Sequence, residues 1–266
     1  MDPFQAVVLG IVQGLTEFLP ISSSGHLVLA NYWLGWGDEL PLYVAFATNT
    51  GTLLAVLAYL WRDVAVAVGG FARGLVSAEA RRGDGWRLAL LVLAGSVPTA
   101  VIGLAIRPVF EDLNSVVPVS IALAVTAAVL WWAPRSGPKA TVRDLTFHDV
   151  LVAGVAQGLA VVPGISRSGA TIAALLGRGA SADLAPRVSF LLYLVVSVGV
   201  AVLGIGDVLA AELPWGALVG MTLASFAVGY ASLFVLFAML RRGRFRAFAP
   251  YLWAVAALTL GRALLT

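Results

Sequence analysis

The chain alternates between long apolar runs and short segments that carry most of its charged residues. A helical run of about twenty apolar residues is long enough to cross the roughly 30 Å hydrocarbon core of a bilayer. Six uninterrupted runs of about this length therefore predict six transmembrane helices. They are Pro41–Trp61, Trp86–Ile106, Val116–Ala133, Val188–Gly206, Trp215–Leu240 and Ala247–Leu265.

Two further apolar stretches are interrupted near their middle by helix-breaking residues. The stretch Phe4–Gly35 contains Pro20 and the serine-rich run Ser22–Gly25. The stretch Val150–Gly177 contains Pro163-Gly164 and a similar serine- and glycine-rich run. Non-helical backbone at membrane depth is tolerated only where protein or a watery cavity surrounds it. Both stretches are therefore predicted to be re-entrant helical hairpins, which enter the membrane, turn and leave on the side from which they came.

The composition supports a membrane location and excludes several other classes. Hydrophobic residues make up 60% of the 266 positions and charged residues only 12%, whereas soluble domains carry about 25% charged residues. Membrane lipids are therefore the expected surroundings. The net charge of +3 arises from the segments between spans, so no nucleic acid partner is expected. The absence of cysteine excludes disulfides and thiolate nucleophiles.

The distribution of basic residues predicts the orientation. If both hairpins return to their own side, fourteen basic residues fall on one face, which the positive-inside rule makes cytoplasmic. Only Arg107 and Arg262 fall on the other face, and Arg167 lies within the second hairpin. Both termini and the mouth of the first hairpin are then predicted to face outward. The second hairpin is predicted to open to the cytoplasm.

The two broken stretches match each other without a gap. Residues 8–25 and 152–169 share nine identities in eighteen positions, concentrated on Gly, Gln and Ser. Each copy is followed by three predicted spans, an odd number, so the two halves have opposite orientations, and the two broken helices are expected to meet near the membrane midplane around a shared site. The predicted fold class is an all-α polytopic membrane protein, with six transmembrane helices plus two re-entrant helical hairpins in an inverted-topology repeat. It forms a single membrane domain over 1–266, with repeats at 1–140 and 141–266.

The two hairpins also contain most of the ionisable groups at predicted membrane depth, namely Glu17, His26 and Arg167. Ionisable residues there are costly and mark functional sites by default. A carboxylate can bind a divalent cation or act as a base, and a guanidinium presents a planar set of donors to a phosphoryl group. The hydroxyl and amide groups beside them are Gln13, Ser22, Ser23, Ser24, Ser166, Ser168 and Thr171. The alternative is structural: a buried Glu17–Arg167 ion pair, with serines that only allow close helix packing.

Two segments of these hairpins resemble the signatures of a known family. The stretch Gly10–His26, GIVQGLTEFLPISSSGH, and the stretch Pro163–Thr171, PGISRSGAT, are similar to the two motifs of the undecaprenyl-diphosphate phosphatase family, called BacA or UppP. The resemblance implies an integral membrane enzyme whose partner is a polyprenyl diphosphate lipid. That enzyme hydrolyses the lipid to the monophosphate, which recycles the carrier for cell-wall glycan synthesis and confers bacitracin resistance. It also implies a divalent cation, Mg²⁺ or Ca²⁺.

The resemblance assigns roles to matching positions. It implies catalytic roles for Glu17, Ser23, His26 and Arg167, with Glu17 also as the metal-linked acid. The substrate-binding residues that it implies are Gln13, Ser22, Ser24, Ser166, Ser168 and Thr171. Whether Ser23 attacks phosphorus with His26 as base, or His26 activates a water molecule, stays open at this point.

Some positions depart from the family pattern. Gln13 stands where many members have a second acid, Asn49 stands in place of a glutamine, and Arg187 stands in place of a glutamate. A polyprenyl-phosphate flippase or another transporter is the alternative function, because inverted repeats with opposed hairpins also serve alternating access. The sequence leaves the oligomeric state open, a homodimer included.

Overall fold

The protein is described by a computed structural model that covers residues 2–36, 41–106, 113–209 and 214–265. These residues are almost entirely helical, and their one β-bridge joins Lys139 and Ala180. The helices of the described residues, apart from short 3-10 turns, are α1 (Pro3–Phe18), α2 (Ser23–Leu34), α3 (Leu42–Tyr59), α4 (Trp61–Val76), α5 (Asp84–Ile106), α6 (Val116–Trp132), α7 (Phe147–Leu159), α8 (Arg167–Gly177), α9 (Leu184–Leu209), α10 (Trp215–Arg241) and α11 (Phe248–Leu265).

Several of these helices are long and apolar enough to cross a membrane. Four described segments pass this test individually, and the bent pair α3–α4 adds a fifth. The four are Asp84–Ile106, Leu184–Leu203, Trp215–Arg241 and Phe245–Leu265. The predicted span at Val116–Ala133 forms the apolar helix α6, which has 17 residues. The chain is therefore a multi-pass membrane protein with four to five candidate spans among the described residues.

The segment after α3 differs from the prediction. The arginines and glycines of 62–87 predicted a loop, but its first part forms α4, bent by 80° from α3. Trp86 explains much of the packing of α4, because its ring stacks on Phe71 with centroids 5.4 Å apart and lies against Gly74. Arg81 covers the same ring at 5.8 Å from its centroid. The helix is amphipathic, and such a helix lies along a membrane surface more readily than across it.

The predicted interruptions are confirmed in both broken stretches. α1 ends at Phe18, two residues before Pro20, and α2 begins at Ser23. α7 ends at Leu159, and α8 begins at Arg167. Between them Gly164 has a φ of +92°, a left-handed conformation that glycine adopts without a steric penalty. Each stretch is thus two helices joined by a short break.

Glycines let each first half-helix pack closely against a helix from the other half of the chain. A Cβ atom on Gly10 would lie 2.6 Å from the Met221 carbonyl oxygen of α10. On α7, a Cβ on Gly154 would overlap the Gly95 carbonyl oxygen of α5. Small residues allow this approach in membrane helices, where van der Waals packing replaces the hydrophobic effect. The repeated glycines therefore have the same structural role in both halves.

An ion-pair network joins the two ends of the second broken stretch. Asp149, in the first turn of α7, accepts hydrogen bonds from Lys139 at 2.5 Å and from Arg178, just after α8, at 2.9 Å. Burial alone would raise the pKa of the Asp149 carboxyl, but these donors and Thr146 outweigh it and hold that pKa well below its ordinary value. The start of α7 and the end of α8 consequently lie side by side.

The α5–α7 contact gives a first prediction. Gly154→Ala should lower the free energy of unfolding by at least about 1–3 kcal/mol, because the added methyl group forces two backbones apart. Thermal unfolding of the detergent-solubilised protein measures this. Gly199→Ala, whose new methyl group would meet open space, is the matched control and should leave the midpoint unchanged or raise it slightly, because alanine is the better helix former. Equal midpoints for the two variants would contradict the close packing.

Candidate active site

Glu17 is the centre of a polar cluster in the last turn of α1. Gln13 Nε2 donates a hydrogen bond of 2.8 Å to its Oε2, and the Ser23 hydroxyl donates to the same oxygen. Arg167 forms an ion pair with Oε1 through its Nη2. The two broken stretches therefore meet at this carboxylate, as the sequence predicted for Glu17 and Arg167.

Arg167 is the first residue of α8 and is more accessible than its partner. Its side chain is 30% exposed, against 4% for Glu17. The guanidinium carbon also lies 4.5 Å from the centre of the Tyr193 ring, a cation–π contact. The Tyr193 hydroxyl is 3.2 Å from Thr52 Oγ1. Tyr193 was not predicted from the sequence, because a tyrosine within a transmembrane run carries no local signal of function.

The N-termini of α2 and α8 both lie beside the cluster and have the same side-chain cap. Ser22 Oγ accepts from the Gly25 amide at 3.4 Å, and Ser166 Oγ accepts from the Gly169 amide at 3.1 Å. Helix N-termini present unpaired N–H groups and a positive partial charge, which favour anions such as phosphate. The caps differ in one respect, since Ser22 has a φ of +72° and Ser166 a φ of −75°.

His26 lies in the first turn of α2, next to the cluster, and its ring bonds to residues other than Glu17 and Ser23. Its Nδ1 donates to the Ser22 carbonyl oxygen at 2.8 Å. That bond leaves Nε2 of a neutral ring as an acceptor, and the Tyr251 hydroxyl lies 2.9 Å from it. Tyr251 comes from α11, 225 residues away, and no pattern in the sequence indicates this contact.

The remaining predicted site residues differ in whether their side chains contact Glu17. Gln13 joins the cluster directly and also donates to Asn49 Oδ1 at 2.9 Å. Ser24 Oγ lies 3.4 Å from Ser22 Oγ. In contrast, Thr171 donates to the Arg167 carbonyl oxygen at 2.8 Å and is fully buried. The hydroxyls of Ser166 and Ser168 are 3.3 Å apart.

A small cavity opens between the broken stretches. Its wall contains the two partners of the central ion pair together with apolar and polar side chains from α7, α8 and α9. The residues that line it are Glu17, Phe18, Gln157, Arg167, Ser168, Ser189, Phe190 and Tyr193. The cavity therefore has a carboxylate, a guanidinium and hydroxyl groups within one enclosure.

The fold and this cluster define an integral membrane protein that gathers an acid, a hydroxyl and a guanidinium at two helix N-termini, the groups that phosphoryl-transfer chemistry uses. The chain belongs to the BacA family: the family model described as "Bacitracin resistance protein BacA" matches residues 6–258.

Curated relatives agree with this assignment. The chain is 59% identical to the undecaprenyl-diphosphatase of Acaryochloris marina over 260 residues, which covers 98% of each chain. It is 42% identical to the undecaprenyl-diphosphatase of Desulfosudis oleivorans over 270 residues, again 98% of each chain. The same name is given to a protein of Methanosphaera stadtmanae that is 35% identical over 273 residues.

The contrast between the two caps gives a second prediction. Ser22→Ala should destabilise the protein by about 1 kcal/mol through loss of the cap. Ser22→Gly should be close to wild type, because glycine removes a positive-φ strain of about 1–2 kcal/mol. At Ser166, where φ is ordinary, alanine should have the same cost and glycine should lie a few tenths of a kcal/mol below wild type, so glycine should be better tolerated at position 22 than at position 166. Thermal midpoints of the four variants in detergent measure this, and equal behaviour of glycine at both positions would refute it.

Proposed function

We propose that this chain hydrolyses undecaprenyl diphosphate to undecaprenyl phosphate and inorganic phosphate within the membrane. The match over residues 6–258 and the shared name of the relatives support this activity. The observation that carries the proposal is the contact of Glu17 with both Ser23 and Arg167 at two helix N-termini. The reaction recycles the lipid carrier of peptidoglycan synthesis, which accounts for a link to bacitracin resistance.

The diphosphate binds where the two half-helices begin. Arg167 supplies a planar set of donors that can hold two phosphoryl oxygens at once, and the N–H groups of α2 and α8 add further donors. The apolar surface of the spans keeps the long polyprenyl tail in lipid. Among the described apolar side chains, Val101, Leu104, Val219 and Leu223 are more than half exposed, as lipid-facing residues are.

Ser23 is the proposed nucleophile and Glu17 the acceptor of its proton. The Ser23 oxygen bonds to the terminal phosphorus, the bond from that phosphorus to the bridging oxygen breaks, and undecaprenyl phosphate leaves with the electron pair. The hydrogen bond from Ser23 to Glu17 supports this assignment. Water then attacks the phosphorus on Ser23 and gives its proton to His26 Nε2, which exchanges its hydrogen bond from Tyr251 for this proton. The bond from phosphorus to the Ser23 oxygen breaks, and that oxygen takes back the proton held by Glu17.

A divalent cation at Glu17 is part of the proposal. The described residues contain no group of three or more acidic or histidine side chains that could hold a metal ion by themselves. Mg²⁺ often binds through one or two carboxylates together with substrate phosphates. Glu17, with the amide oxygen of Asn49 and the hydroxyl oxygen of Ser23, would hold such an ion, whereas Gln13 directs its Nε2 donor at Glu17 and Asn49. The cation would neutralise phosphate charge.

The membrane topology that we propose has six spans and two re-entrant hairpins in an inverted repeat. The contact of Asp149 with Arg178 supports a hairpin that returns to its own side. Further ion pairs connect segments that the distribution of basic residues assigns to the cytoplasmic face: Asp63–Arg187, Asp84–Arg143 and Asp183–Arg241. Arg107 lies outside the described residues. In this topology both termini and the active site face outward.

Activity provides the direct test. Purified protein should release phosphate from farnesyl diphosphate in the presence of Mg²⁺ or Ca²⁺. Glu17→Gln and Arg167→Ala should each lower kcat/KM by at least about 100- to 1000-fold, because each removes a group that stabilises charge in the transition state. Glu79→Gln and Arg143→Ala, at exposed positions, are matched controls. A wild-type protein that moves lipid in liposomes but releases no phosphate would refute the phosphatase.

The nucleophile has a separate test. Acid quenching during turnover of substrate labelled in its terminal phosphate should trap labelled protein. Ser23→Ala should abolish the label, whereas Ser115→Ala, at an exposed position outside the site, should retain it. Incorporation of solvent oxygen into phosphate without any trapped intermediate would instead indicate direct attack by water.

A further inference from the structure

Gln157 is a buried polar residue that no part of the preceding mechanism uses. It lies in α7 and is 1% exposed. Among the described residues, no protein group lies within hydrogen-bond distance of its Nε2 or its Oε1. Burying an amide without hydrogen bonds costs about 1–3 kcal/mol, and buried polar atoms almost always have partners. Both ends of this amide are therefore available to a bound ligand or water molecule.

The comparison with Gln13 shows what is unusual about this position. Gln157 corresponds to Gln13 in the internal repeat, and Gln13 donates to both Glu17 and Asn49. The position that corresponds to Glu17 is Val161. The second repeat thus has the amide but not the carboxylate that accepts from it in the first.

The side chain borders the cavity that contains the central ion pair. Gln157 lines this cavity together with Glu17, Arg167, Ser168 and Ser189. Apart from Glu17, these side chains all carry hydrogen-bond donors, and Arg167 is cationic. A ligand that satisfies the Gln157 N–H₂ group in this enclosure is therefore an anion with several acceptor oxygens, which is the chemistry of a phosphoryl group.

We infer that the Gln157 carboxamide binds the terminal phosphoryl group of the substrate, beside Arg167, and retains it as inorganic phosphate once water has released it from Ser23. This inference rests on the proposed phosphatase function. The amide donates to a non-bridging oxygen, and its carbonyl oxygen accepts from a protonated phosphate oxygen or from the attacking water molecule. Gln157 therefore binds the substrate, whereas Gln13, at the corresponding position of the first repeat, donates to Glu17 and Asn49.

The variant Gln157→Leu tests this, because leucine has a similar volume and no polar atom. We expect kcat/KM for farnesyl diphosphate to fall about 10- to 100-fold, the range for losing one or two hydrogen bonds to a charged group. Inhibition by orthovanadate, which mimics phosphate, should weaken about tenfold. The thermal midpoint without ligand should stay the same or rise, because an unsatisfied buried amide is removed.

The stabilising effect of phosphate gives a readout that does not depend on turnover. Inorganic phosphate should raise the thermal midpoint of the wild type, and this rise should be smaller in Gln157→Leu. Gln5→Leu, the same substitution three turns before Glu17 in α1, is the control and should keep the wild-type response. If Gln157→Leu fails to fold, Gln157→Met serves the same purpose, because methionine is unbranched like glutamine and lacks the amide.

The outcomes separate this inference from the phosphatase itself. An inactive wild type that is still stabilised by phosphate would refute the phosphatase alone. An active wild type with unchanged kcat/KM, vanadate inhibition and phosphate response in Gln157→Leu would refute the role of Gln157. A lower thermal midpoint in that variant with an unchanged phosphate response would show instead that the amide has only a structural partner, such as a bound water molecule.

Discussion

The ion pair between Glu17 and Arg167 is the interaction on which the rest of the structure depends. Its two partners come from different broken stretches, 150 residues apart in the chain. A charge at membrane depth is costly alone and tolerable when paired. Removing either partner would leave the other charge uncompensated, so the pair constrains both breaks to one place. The substrate competes for the same guanidinium, which lets one contact stabilise the resting protein and bind phosphate.

The broken helices follow from the same constraint. A continuous helix satisfies its own backbone groups, whereas a break leaves N–H groups unpaired. Ser22 and Ser166 satisfy one such group each through their hydroxyls, and other N–H groups remain available for a ligand. The N–H groups that the two interruptions leave unpaired therefore also form a binding site for an anion. Positive charge from two helix N-termini and Arg167 balances the phosphates, and Glu17 provides the opposing charge when no substrate is bound.

Close packing between the two halves of the chain holds the groups of the site in fixed positions. α1 packs on α10 and α7 packs on α5 through glycine contacts that leave no room for a methyl group. Because the packed surfaces are rigid, Ser23 and Arg167 approach Glu17 from fixed directions. The aromatic rings of Tyr193 and Tyr251 then define the sides of the site, one under the Arg167 guanidinium and one against His26.

The membrane class, the two breaks, the repeat and the residues most able to do chemistry could all be predicted from the sequence. These features are local: apolar length, a proline or glycine within it, and an ionisable group where such groups are rare. The sequence also predicted that Glu17 and Arg167 meet, because a repeat relates the segments that contain them. The bend that makes α4 a separate helix was missed, since it depends on Trp86 packing back on Phe71 and Gly74. Three features became visible only in the folded chain: Ser23 donates to Glu17, His26 pairs with Tyr251, and Gln157 has no partner among the described residues. Each of these depends on which side chains from distant helices occupy the same few ångströms, and hydrophobic periodicity carries no information about that.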